Sequence, residues 1–154
     1  MKFNKWLMKT EPDVYSIDDL VKDGVTHWEG IRNYQARNFM MKDMVIGQSV
    51  FIYHSNTKVP GIVGLAEVSS KPYPDFFAWD DTSKYFDPKS PKESPRWFMV
   101  DVKFKKKFKE VISLNTIKND PNLQAMLVVK KGMRLSIQPV KTEEYDYIIE
   151  NYTK

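Results

Sequence analysis

Trp28-Glu29-Gly30-Ile31-Arg32-Asn33-Tyr34-Gln35-Ala36-Arg37-Asn38 sets a tryptophan, a glycine, an arginine and an amide at the entry to a helix. Asn33 reads as the N-cap, because its side-chain oxygen can accept from the unpaired N–H groups of a first turn. From Tyr34 to about Met44 the residues Ala36, Phe39, Met40 and Met44 recur at helical spacing, and Gly47 stops the run. Such an entry attracts anions. An aromatic plane beside amide donors also suits an unstacked nucleobase, held by its face and read at its edge. A core tryptophan followed by a plain helix cap produces the same letters.

On the N-terminal side, Trp6-Leu7-Met8-Lys9 reads as a strand broken by Glu11-Pro12-Asp13, and Ser16 opens a short helix with Asp19 placed for a capping box. Gly24 ends it. On the C-terminal side, Val50 to His54 and Ile62 to Val68 read as paired strands across a turn at Lys58-Val59-Pro60-Gly61. From Lys71 to Pro95 the chain turns rich in proline (Pro72, Pro74, Pro88, Pro91, Pro95), and six aromatics from Tyr73 to Phe86 argue for a structured loop packed on the domain. Trp97 to Phe104 is expected as a strand, Leu114 to Asn119 and Asn122 to Met126 as helical turns, and Arg134 to Val140 as another strand. Thr142 is expected to cap a closing helix whose first turn carries Glu143 and Glu144, as the helix dipole prefers. Short strands with a few helices between them give an α+β domain, a small barrel in its simplest form.

The 154 residues fit one domain, 1–154, able to bury a core without staples. Cysteine is absent, which excludes disulfides, thiolate nucleophiles and thiolate metal sites. His27 and His54 lie too far apart for a local zinc motif, so neither metal nor cofactor is expected. No apolar run reaches the roughly 20 residues needed to cross a bilayer. Met1-Lys2-Phe3-Asn4-Lys5 runs into the first strand without resembling a secretory signal, so a cytoplasmic monomer without a membrane partner is expected. The net charge is +4, and only Arg32, Arg37, Arg96 and Arg134 among 24 basic residues are arginines. A polyanion partner is permitted by that balance.

Three further constellations bear on chemistry. Tyr53-His54-Ser55-Asn56 holds a proton-transfer group next to a hydroxyl. Adjacent residues on a strand point to opposite faces, however, and no nucleophile-elbow pattern is present, so a polar strand end fits better than a catalytic pair. Lys103, Lys105, Lys107 and Lys109 alternate with Phe104 and Phe108, placing the lysines on one strand face and the phenylalanines on the other. That stripe suits a phosphate backbone, and it suits equally a solvated strand guarded against edge pairing. In Arg134-Leu135-Ser136-Ile137-Gln138-Pro139 the apolar and polar residues alternate, so the polar set lines a pocket if it faces inward.

Taken in order, Trp6 through Pro12, Trp28 through Met40, Tyr53 through Asn56, Gly61 through Gly64, Tyr73-Pro74-Asp75 and Leu135 through Pro139 resemble the EVE domain family. The resemblance covers nearly the whole chain. Thr10 stands where the family usually has serine, and Ile137 where it usually has valine. The resemblance implies a PUA-like fold, a small open β-barrel with helices packed at its rim, related to PUA, ASCH and YTH domains. It also implies binding of nucleic acid, with modified DNA bases proposed as ligands for the family. On that footing the expected protein is a non-catalytic binder of a nucleic-acid base, DNA or RNA, in an aromatic pocket. Trp28 would stack on the base, with Tyr34 or Trp97 as a second wall. Thr10, Asn33, His54, Ser55 and Ser136 would read its edge, Arg32 and Lys9 would meet phosphate or carbonyl oxygens, and Lys103, Lys105 and Lys107 would follow the backbone. The alternative is an ASCH-like hydrolase of modified nucleosides, with Lys9, Glu11 and His54 as its acid–base set. An adaptor role for the proline-rich loop has no specific residue behind it.

Overall fold

A computed structural model describes residues 3–154; Met1 and Lys2, where the reading of the N-terminal segment began, lie outside it. Strand β1 (Lys5–Thr10) leads into helix α1 (Ile17–Asp23) and the short strand β2 (Val25–His27). Helix α2 (Tyr34–Asn38) precedes β3 (Ser49–His54) and β4 (Gly61–Val68). The long loop carries β5 (Tyr73–Pro74), followed by β6 (Phe98–Met99) and β7 (Asp101–Ser113). Helix α3 (Leu114–Lys118), strand β8 (Ile137–Val140) and helix α4 (Thr142–Tyr152) complete the chain. Six strands form one sheet in the order β2-β7-β4-β3-β1-β8, while β5 and β6 pair separately. The sheet curls strongly into a half-barrel, with helices against it, which is the PUA-like α+β arrangement.

Strands β1 and β3 run parallel, with α1, β2 and α2 forming the crossover that a parallel pair requires. Both strands are buried on two faces. Trp6 and Met8 join Val50 and Ile52 in a core shared with Trp28, Met40, Ile17 and Leu20. Leu7, Phe51 and Tyr53 face the opposite core, with Ile117, Leu123 and Ile148. Apolar residues on both faces explain why these segments read as unbroken hydrophobic runs.

The local signals behave as their chemistry dictates. Ser16 and Asp19 form the capping box of α1, and the Asn33 side chain accepts from the Ala36 N–H. The second helix, expected to reach Met44, is α-helical only to Asn38 and continues as a π-helical turn over Phe39–Asp43. The wider turn packs Phe39 against Trp6 and keeps Met40 and Met44 in the core. The closing helix starts at Thr142, so the N-cap residue is Lys141 and not Thr142; the Lys141 N–H donates to the Glu144 carboxylate at 3.0 Å. The expected strand from Arg134 begins at Ile137, and the one from Trp97 splits into β6 and a longer β7.

Within β7 the lysine stripe does not keep one face. Leu65 pairs with Lys106 and Ala66 with Phe104, so Lys105 is an extra residue in a β-bulge. The bulge reverses the alternation: Phe104 packs on the Trp28 core, whereas Phe108 is buried in the opposite one. Lys103 and Lys105 lie near Glu67 at 3.9 and 3.6 Å, and Lys107 pairs with Asp18. Opposite this bulged region, Gly64 lets β4 and α1 approach β7 closely. A Cβ at this position would lie 2.4 Å from the Lys106 carbonyl oxygen and 2.9 Å from Ile17 Cδ1. Gly64→Ala is therefore expected to lose about 1–3 kcal/mol through overpacking, measured by urea denaturation; an unchanged midpoint would contradict the packing described.

Candidate functional site

At one end of the sheet the C-terminal ends of the parallel strands, the residues following β2 and the residues entering β8 meet. The Lys9 N–H donates to the Ser136 carbonyl and the Ser55 N–H to the Thr10 carbonyl, which fixes these three segments side by side. Between them and the loop after β2 lies a cavity of about 610 Å³. Its wall includes Lys9, Thr10, Trp28, Ser55 and Ser136, five of the residues singled out in the sequence. Tyr15, His27, Glu29, Tyr85 and Arg134 share it.

Trp28 belongs mainly to the core, being 7% exposed, yet it borders the cavity and meets the Tyr15 ring edge-on at 6.4 Å. Its N–H on the backbone donates to the Val100 carbonyl, which anchors the start of the segment. Opposite, the Tyr85 ring lies against Gly30. The glycine has φ +85°, and a Cβ there would fall 2.4 Å from the Tyr85 ring. Only glycine fits both the conformation and the contact.

The loop that delivers Tyr85 is tied down by Asp75, which is 1% exposed. One of its carboxylate oxygens accepts from the Gly30 N–H at 2.8 Å and the Arg32 guanidinium at 3.0 Å; the other accepts from the Phe77 N–H. Arg32 also donates to the Tyr85 carbonyl at 2.7 Å. Its donors thus hold the wall together rather than point into the cavity. Tyr34 and Trp97 stack on each other at 4.9 Å outside the cavity lining, and the Trp97 indole N–H donates to Asp87. Asn33, with its side chain committed to the α2 cap, also lies outside the lining.

His54 accepts from the Ile17 N–H through Nε2 at 3.0 Å, so it caps α1 from the end of β3 and does not line the cavity. Burial pushes its pKa below the ordinary histidine value, with Asp18 opposing and Lys107 assisting. Lys103, Lys105 and Lys107 line β7 away from the cavity wall. Sequence reasoning missed Tyr15, His27, Lys84 and Tyr85. Tyr15 lies between β1 and α1, His27 ends β2, and Lys84 and Tyr85 come from the loop after β5; what brings them together is how these segments fold back, which no local pattern carries.

The polar lining is mixed in charge. Lys9, Lys84 and Arg134 contribute cations, and Glu11 and Glu29 contribute carboxylates. Burial lowers the Lys9 pKa, and its ammonium lies 5.6 Å from the Tyr53 ring centre. Burial likewise pushes the Tyr15 phenol up to about 12, so its hydroxyl stays protonated and donates to Asp23. Among the described residues, the hydroxyls of Ser55 and Ser136 and the Arg134 guanidinium have no hydrogen-bond partner in the protein. No cluster of three potential metal ligands occurs among the described residues.

An EVE domain family model matches residues 4–151. Thymocyte nuclear protein 1 of Gallus gallus is 40% identical over 162 residues, a match covering 94% of this chain and 66% of that protein. The chain thus spans about two thirds of the length of that curated relative. A solved structure of a hypothetical protein from Leishmania major is 48% identical, with a TM-score of 0.90 and coverage of 97% of this chain and 94% of that one. The structure of human THYN1 protein in complex with 5-methylcytosine-containing DNA is 38% identical, with a TM-score of 0.90 and coverage of 97% and 98%. An ASCH protein of Zymomonas mobilis, at 9% identity and a TM-score of 0.54, shares the fold alone.

The His54 cap has a pH consequence. With its folded pKa depressed, the unfolded chain takes up the proton first, so the stability from this group is complete above the ordinary histidine value of 6.5 and is lost as pH falls below it. Thermal melting should show wild type losing more between about pH 7.5 and 5.5 than His54→Gln. Parallel losses in the two proteins would remove the assignment.

Proposed function

The chain belongs to the EVE domain family, and from that premise we propose that it is a non-catalytic nucleic-acid-binding protein whose cavity beside Trp28 takes a single unstacked base, a modified one by preference, from DNA or RNA. The observation that carries this reading is the cavity itself, 610 Å³ in volume, bordered by an indole and edged with unpaired hydroxyls and an unpaired guanidinium. The volume falls in the roughly 300–1,000 Å³ range of small-molecule sites. The human relative crystallised with 5-methylcytosine-containing DNA supports nucleic acid as the ligand class.

In this reading Trp28 and Tyr15 supply the aromatic wall, and Ser55, Ser136 and Thr10 take the base edge. The Thr10 hydroxyl already donates to the Tyr15 carbonyl at 2.8 Å, so it offers the ligand an acceptor. Lys9, Lys84 and Arg134 meet phosphate or carbonyl oxygens. Arg32, Asn33, His54, Tyr34 and Trp97 act one layer back, by holding the loops and helices that form the wall. The lysines of β7 steer the polyanion from a distance.

Hydrolysis of a modified nucleoside would need Lys9, Glu11 and His54 to act together. His54 is engaged with the α1 N-terminus, and exposed Glu11 accepts from Asn56 at 3.2 Å. That engagement favours binding without turnover.

Fluorescence anisotropy with a labelled single strand carrying 5-methylcytosine tests the proposal. Stacking is worth roughly 1–3 kcal/mol per base, so Trp28→Ala is expected to weaken binding about ten-fold or more. Because Trp28 also fills the core, the exposed Arg134→Gln provides an independent arm. Loss of one phosphate contact should reduce the slope of log affinity against log salt by about 0.7–0.9. Unchanged affinity and slope in both variants would place the ligand elsewhere.

A further inference from the structure

Two carboxylates border the cavity, and they differ in setting. Glu11 is exposed and accepts from Asn56. Glu29 is half-buried: its side chain is 32% exposed, and one oxygen lies 2.9 Å from His27 Nε2. The other oxygen, Oε1, has no partner among the described residues.

Glu29 is also held in place from both sides. Its neighbours Trp28 and Gly30 donate their N–H groups to the Val100 carbonyl and the Asp75 carboxylate. The His27 ring that grips it lies 5.5 Å from Phe77 and 6.1 Å from Phe76, centre to centre. Burial, with the nearby Asp75 charge, raises the pKa of Glu29, while His27 and Lys84 oppose that. A partly desolvated carboxylate oxygen with spare lone pairs gains most from a donor brought by a ligand. Lys9, Lys84 and Arg134, elsewhere on the wall, offer donors only.

Resting on the base-pocket reading above, we propose that Glu29 selects bases bearing an exocyclic amine, its free carboxylate oxygen accepting the 4-amino group of a cytosine ring while the cationic and hydroxyl groups of the wall meet the ring's acceptors. Thymine carries the same 5-methyl group as 5-methylcytosine and nearly the same outline. It presents a carbonyl oxygen where cytosine presents the amine. Against Glu29 that oxygen sets acceptor facing acceptor and leaves both unpaired, which is how a polar site rejects an isosteric ligand. His27 fixes the orientation of the carboxylate and is a positioning residue.

The test uses the whole chain and two labelled single strands identical except at one position, 5-methylcytosine in one and thymine in the other. Wild type is expected to prefer the 5-methylcytosine strand by about ten-fold or more, the usual scale of a well-placed edge contact. Glu29→Gln, whose amide can turn either its oxygen or its NH₂ toward the base, should bring the two strands within about two-fold. Glu29→Ala, which leaves the backbone hydrogen bonds in place, should do the same, and melting curves check that both variants fold. A wild-type ratio near one, with Trp28-dependent binding of both strands, overturns the role of Glu29 and leaves the cavity reading standing. Retention of the ten-fold preference in both variants also overturns it. Binding of neither strand sinks both readings together.

Discussion

The cavity depends on one buried carboxylate. Asp75 accepts from Gly30, Arg32 and Phe77 at once, which joins the segment after β2 to the loop after β5. Removing it would strand the Gly30 N–H and leave a guanidinium of 24% exposure without its counter-charge, a loss that mutational series place at several kcal/mol. The consequence is not only energetic. Arg32 carries the tie onward to the Tyr85 carbonyl, and Tyr85 is one face of the cavity. A site wall is thus held by a node that need not touch the ligand.

The sheet supplies the other wall. Because β1 and β3 are parallel, their C-terminal ends open on the same edge, and antiparallel β8 begins where β1 ends. Lys9, Thr10, Ser55 and Ser136, far apart in sequence, meet there for reasons of topology alone. Apolar side chains on both faces of β1 and β3 anchor the two strands in the cores on either side. Under the proposed function a base entering beside them would meet groups whose backbone is already hydrogen-bonded, so little ordering would remain to oppose binding.

What was legible in the sequence follows from range. The caps at Ser16 and Asn33 are decided within four residues, and the structure has both. Trp28, Thr10 and Ser136 line the cavity from segments the local patterns picked out, although Ser136 precedes β8 rather than lying in it. The face of the β7 lysines was not legible, since the bulge at Lys105 arises from pairing with β4 and no single-strand pattern encodes it. Arg32 and His54 have the side chains a ligand site uses. Their polar atoms are taken by Asp75, Tyr85 and Ile17, partners that sequence distance hides. Tyr85 enters the wall from the opposite direction, as an aromatic in a proline-rich loop with no motif of its own.

The energetics of the proposed reading bear on the form of nucleic acid it favours. Unpairing and unstacking a base from duplex costs a few kcal/mol, while stacking on one aromatic wall returns roughly 1–3. Trp28, at 7% exposure, offers less of its face than a free-standing platform would. The three cations of the wall add phosphate attraction, but the two carboxylates temper it, so the cavity is a poor trap for a bare polyanion. Balance then falls on edge contacts made only once the base is inside. A cavity of this kind gains little from regular duplex and most from a base already loose in its strand, whether by single-strandedness, mismatch or modification.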